Sequence, residues 1–186
     1  MGNNMKWLLI SFGVMVVLFG INQIQQNQLT SKSDQVFDIN REDVFQINIS
    51  QGDDSISLLF NGESWAIDGH DTLQVKSNTM DRFFETVLNV KRTSLVSKNA
   101  GKWDKFNVGD TTGTHLVLKD YNGEPLANAI VGRSNAEWSS SNIRFGGEIE
   151  VYHTGENISF QLNTSPTHWG EVPPPPEPDS TFIDSL

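Results

Sequence analysis

The side chains best suited to proton transfer or metal binding near neutral pH are the four histidines, His70, His115, His153 and His168. None stands in HExxH, HxH or another zinc spacing. His70-Asp71 lies in a loop near the acidic pair Asp53-Asp54 of a neighbouring turn, where a cleft could take a metal or small ligand, although a plain polar loop accounts for these residues better. Glu148 and Glu150 resemble a glycosidase dyad in type. Their i, i+2 spacing on a strand after a turn reads more simply as a solvated face. The chain has no GxSxG, SxxK, Walker loop or GxGxxG, so nucleophile-elbow and phosphate-cradle chemistries lack their usual signals. It has no cysteine, which excludes disulfides, thiolate catalysis, iron–sulfur clusters and cysteine zinc sites. The expectation is a protein without catalytic residues, metal or cofactor, and without an identifiable small-molecule substrate. Four tryptophans, Trp65, Trp103, Trp138 and Trp169, could build a binding platform. Trp138 stands apart because it sits in the polar loop Ser134–Ser141, where it either marks an interface or folds back on a sheet.

Any such residues need a scaffold, and composition bounds it. The 186 residues carry 23 acids against 13 Lys and Arg, a net charge of −10. Phosphate backbones attract basic surfaces, so nucleic acid is not an expected partner. Eleven Phe and five Trp favour a packed core.

The N-terminus supplies a different element. From Met5 to Ile24 the chain reads MKWLLISFGVMVVLFGINQI, and Trp7, Leu8, Leu9, Ile10, Phe12, Val14, Val16, Val17, Leu18, Phe19 and Ile21 make it nearly continuous in apolar side chains. As a helix it would rise ~30 Å, the thickness of a hydrocarbon core. Lys6 precedes the run, and no basic residue follows until Lys32. The positive-inside rule then puts the N-terminus in the cytoplasm and the rest in the periplasm, with the bilayer of the inner membrane as first partner. A cleaved signal peptide would need a pair of small residues after the run, and Leu18, Phe19, Gly20, Ile21, Asn22 and Gln23 offer no good pair. Gly13 and Gly20 lie seven apart on one side and would let a second helix approach closely.

Three dipeptides organise the chain beyond the apolar run: Asn61-Gly62, Asn122-Gly123 and Gly146-Gly147 each separate two alternating stretches and predict two-residue type I′ hairpin turns. A further strand is expected over Val44–Ser50. Met80, Phe83, Phe84, Val87 and Leu88 recur at helical spacing and predict one amphipathic helix over Asn78–Val90, capped by Asn78 and closed by Lys91 and Arg92. Lys102–Val108 (KWDKFNV) reads as a turn or half helix that buries Trp103 and Phe106. Ile158, Phe160 and Leu162 mark a last short element. The fold expected is α+β: an antiparallel sheet of hairpins packed with one main amphipathic helix, preceded by a single transmembrane helix. Its divisions are an anchor at 1–24, a polar stalk at 25–43, an extracytoplasmic domain at 44–170 and a proline-rich acidic tail at 171–186.

The order of motifs resembles the bacterial domain-of-unknown-function 4340 family. The residues that carry the likeness are Glu63-Ser64-Trp65-Ala66-Ile67, the helix, Thr93–Val96, Lys102–Val108, Ile130-Val131-Gly132, Asn142-Ile143-Arg144 and Ile149-Glu150-Val151-Tyr152, within a match from Val44 to Trp169. Asn107-Val108 stands where the family has Gly-Leu, and Asn can also take a left-handed conformation. The resemblance implies a single-pass envelope protein, in some members beside ABC-transporter components of the gliding-motility type, and it supplies no catalytic residues. The function expected is a non-catalytic accessory subunit that binds another membrane or envelope protein, with Gly13, Gly20, Trp138 and Arg144 as partner-binding residues. The alternatives are a periplasmic ligand or metal binder, or an enzyme, with its cleft near His70 and Asp71, and a small subunit of a larger membrane complex that uses the helix as its contact.

Overall fold

The computed structural model describes residues 15–16 and 35–175. The anchor segment 5–24 thus lies outside the described residues apart from Met15 and Val16. Among the described residues no helix is long and apolar enough to cross a membrane.

The described chain is an α+β fold built on one eight-stranded sheet in which every pairing is antiparallel. β1 (Gln46–Gln51), β2 (Asp54–Phe60) and β3 (Trp65–Ile67) form a first meander. β4 (Gln74–Val75) leads into α1 (Ser77–Val87), which carries the chain to the opposite edge, where β5 (Arg92–Ser97) lies. A second meander, β6 (Thr114–Lys119), β7 (Pro125–Arg133), β8 (Ser141–Phe145) and β9 (Val151–Thr154), fills the space between. The strand order is β3-β2-β1-β6-β7-β8-β9-β5, so β1 sits in the middle and joins the two meanders. A short helix α2 (Pro166–Trp169) and β10 (Gly170–Glu171) close the chain against β4.

Period-two alternation gives the sheet two unlike faces. On one, Ile47, Ile49, Ile56, Leu58, Leu116, Leu118, Ala129, Val131 and Ile143 meet Met80, Phe83, Phe84 and Val87 of α1 in a single core. The predicted helical stripe is the stripe that is buried. The helix itself is shorter than Asn78–Val90, and Lys76, without a side-chain cap bond, stands where Asn78 was expected. Its start is fixed from outside: Lys76 donates its amide to Trp169 O (2.8 Å) and its ammonium to Thr167 O (2.9 Å). Lys91 and Arg92 lie past the helix, one bridged to Gln35 and the other opening β5.

The hairpins fall where the dipeptides placed them, but the turns are not type I′. Gly62, Gly123 and Gly147 have positive φ, whereas their preceding residues do not. Side chains shape the first two loops instead. Asn61 Oδ1 accepts from the Glu63 and Ser64 amides, and Asp120 Oδ1 accepts from those of Asn122 and Glu124. Asx turns of this kind stretch a loop beyond two residues. In the third, β9 begins only at Val151, so Glu148 and Glu150 occupy a loop rather than a strand.

The folded unit also begins earlier than residue 44. Val36 donates its amide to Val90 O (2.9 Å), and Val36 and Phe37 belong to the core. At the other end Glu171 pairs with Gln74 in the small sheet, so the first residue assigned to the tail is still part of the fold.

His168 lies beside this closure. Burial lowers its pKa from the usual 6.5, and the charges of Lys76 and Arg82 lower it further. A depressed folded-state pKa means that the unfolded chain binds the proton more readily. His168 therefore contributes stability that is fully present above about pH 6.5 and is lost as pH falls through the folded value. Urea midpoints should drop between pH 7.5 and 5.5 by less in His168→Gln than in the parent. Equal drops would remove His168 from the account.

Candidate functional site

The second face of the sheet is divided. Where β7, β8 and β9 run, Ile130, Gly132, Asn142, Arg144 and Val151 are buried beneath residues 100–113. This covering segment is two 3-10 turns, Ala100–Lys102 and Asp104–Phe106, with Trp103 and Phe106 half-buried against Val108, Ile130 and Val151. Its bend depends on Asn107, the only non-glycine among the described residues with positive φ (57°), as the Gly-Leu equivalence anticipated. The bend fits because position 132 is glycine. A Cβ there would lie 2.2 Å from Asn107 O and 2.7 Å from Phe106 O, both backbone atoms.

Arg144 belongs to this packing. Its side chain is buried, Nε donates to Val108 O (3.0 Å), Nη2 pairs with Asp110, and the guanidinium stacks 3.8 Å from the Trp103 ring centre. Trp103 donates Nε1–H to Ile149 O (3.1 Å). The guanidinium is thus engaged inside the domain.

Over β2, β1 and β6 the same face is open. Ser57, Asn48 and Val117 form one cross-strand row, and Ser55, Ser50 and His115 form the next. All six are half-buried or exposed. Gln46 Nε2 donates to Asn48 Oδ1 (2.9 Å), and so does Ser57 Oγ (2.8 Å), which holds these polar groups in place. A cavity of about 380 Å³ opens on this surface between Asn48, Ser50, Ser55, Ser57, Asp68 and His70. His70 is therefore at a cavity, but the acid that shares it is Asp68 rather than Asp71, and the Asp53-Asp54 pair does not line it. Among the described residues no group of three His, Asp or Glu side chains gathers closely enough to hold a metal ion.

At one end of the sheet is a second surface. Trp138 is 79% exposed and Phe160 55%, and the Arg133 guanidinium lies 5.5 Å from each ring centre. Two aromatic rings thus flank one cation. The loops that carry them are tied together. Asn157 donates to Trp138 O (2.8 Å), Ser141 Oγ donates to Asn157 Oδ1 (3.0 Å), and the amides of Ile158 and Ser159 donate to Ser141 Oγ. Ser134 Oγ accepts the amides of Ala136 and Glu137, shaping the loop before Trp138. Of the four tryptophans only Trp138 is exposed. Trp169 is fully buried, and Trp65 and Trp103 are half-buried, so they form no common platform. Gly13 and Gly20 lie outside the described residues.

The fold and these surfaces define an α+β domain with a half-covered antiparallel sheet and a rigidly held aromatic patch. Residues 65–172, more than half of the chain, match the family described as a domain of unknown function (DUF4340), and the chain belongs to that family. Neither the curated proteins nor the solved structures include a significant match to it.

Proposed function

We propose that the chain is a membrane-tethered extracytoplasmic binding module, a non-catalytic accessory subunit that holds a partner protein of an envelope or transporter complex. The observation that carries this reading is the open half of the sheet. Residues 100–113 bury Ile130, Gly132, Asn142, Arg144 and Val151 on that face, while Asn48, Ser50, Ser57, His115 and Val117 stay partly accessible as a hydrogen-bonded surface. The tether is the apolar run Trp7–Ile21. Val117→Asp and Asn48→Arg in the full chain should each weaken a partner recovered from native membranes by about tenfold or more, the scale of a central interface residue. The urea midpoint should stay near that of the parent. Undiminished recovery with both variants would sink the assignment of this face.

The cavity beside Asp68 and His70 favours one second reading, a ligand-binding site on that same face. A small molecule or metal retained by the purified chain and lost with His70→Ala would select it over the partner-binding reading.

A further inference from the structure

The aromatic patch lies at the end of the sheet where the described chain begins. Gln35 pairs with Lys91, and Lys91 O accepts the Gly155 amide (2.8 Å). Two residues on, Asn157 donates to Trp138 O. Phe160 lies in the 3-10 turn Ile158–Gln161, and Arg133 ends β7 beside them. Only ten residues separate Ile24 from Gln35. Even fully extended, ten residues reach no further than about 35 Å. Both ends of the sheet carry acids, Asp53 and Asp54 in the β1–β2 turn at this end and Glu63, Asp120, Glu124, Glu148 and Glu150 in the loops of the other, so the short reach from Ile24 to Gln35, not charge, selects this end.

We propose that the Trp138–Arg133–Phe160 patch seats the domain on the headgroup zone of the phospholipid bilayer that holds the N-terminal run. This inference rests on the tether reading given above. Trp and Phe suit the boundary between water and acyl chains, Trp because its indole is apolar with one polar edge. Arg133 forms no ion pair among the described residues and offers planar donors to a lipid phosphate. Glu137 and Glu156 lie in the flanking loops and Asp53 and Asp54 in the β1–β2 turn at the same end, so the seat is suited to zwitterionic lipid and not to an anionic surface. With this end down, the open face of β2, β1 and β6 stands upright from the membrane and accessible from the side.

Full-length protein reconstituted in phosphatidylcholine vesicles tests this. The Trp138 fluorescence is taken as the difference between the parent and Trp138→Phe. Most of that signal should be quenched by lipids brominated near the headgroup and shielded from aqueous acrylamide. Arg133→Gln should reduce the lipid quenching. Both variants change exposed side chains and should keep the parent urea midpoint. If the chain floats with the vesicles but the Trp138 signal is open to acrylamide and untouched by brominated lipid, the bilayer seat is overturned, the tether stands, and the patch is left for a protein partner. If the chain does not float, tether and seat fall together.

Discussion

Trp169→Ala should cost the fold about 3–5 kcal/mol, the usual range for emptying a buried aromatic site. Trp169 is fully buried and meets Phe83 edge to face at 5.6 Å. Its indole donates to Asn163 O (2.7 Å), while its own carbonyl accepts the Lys76 amide that starts α1. One side chain thus fills the gap between α1 and the closing strand β10 and keeps the carbonyl that helps set the helix start in place. Domains of ordinary stability hold only about 5–15 kcal/mol, so the variant should have a sharply lower urea midpoint. Trp169→Phe, which keeps most of the ring, should lose much less. A loss below about 1 kcal/mol for the alanine variant would show that the site collapses without penalty, contrary to the packing described.

Arg144→Ala should cost about 3 kcal/mol, from a charge-assisted hydrogen bond of about 1.5–3 kcal/mol together with a stacked cation worth up to about 2. Asp110 is largely solvent-exposed, so its ion pair adds little to this figure. The more informative effect is local. Arg144 holds Val108 and Asp110 and supports the ring of Trp103, three points on the segment that covers the second face. Without it the amides of residues 100–113 should exchange hydrogen faster while those of β1 and β2 keep their protection. Arg144→Lys should rescue poorly, because a lysine ammonium lacks the flat fork that both donates and stacks. Full recovery by lysine would reduce the role of Arg144 to its charge.

These two residues mark where the sequence was and was not legible. The α1 stripe could be read because Met80, Phe83, Phe84 and Val87 repeat at the helical period and the core asked nothing else of them. The hairpin positions were legible from their glycines, but the turn types were not, since the Asn61 and Asp120 side chains compete for the loop amides in a way that a dipeptide rule omits. β5 lacks clean alternation, and its pairing with β9 is broken by two irregularities in register, so only the order of family motifs points to it. Val36 and Phe37 were hidden as two apolar residues among polar ones, with no period to expose them. Trp138 was singled out by its polar surroundings. Ile158, Phe160 and Leu162 mark a short element by their spacing, but that spacing does not show that the tight 3-10 turn buries Ile158 and Leu162 and directs Phe160 outward. A lone arginine on a strand carries no signal of the tryptophan stacked on it, so the engagement of Arg144 inside the domain came only from tertiary structure.

The central place of β1 separates two ideas of a domain. The span that identifies the family begins at Trp65, but the unit that closes this hydrophobic core begins at or before Gln35. Cut at Trp65, the chain would keep the whole matched span and lose the strand that joins its two meanders. Leu116 and Leu118 would then lie on a bare strand edge, and β3 would have no neighbour. Exposed apolar edges of this kind pair with other copies of themselves. The stretch that matches the family and the stretch that closes the core are therefore different lengths of chain. The thirty residues 35–64, which the family pattern leaves unmatched, supply the strands that cover the β6 and β3 edges within one chain.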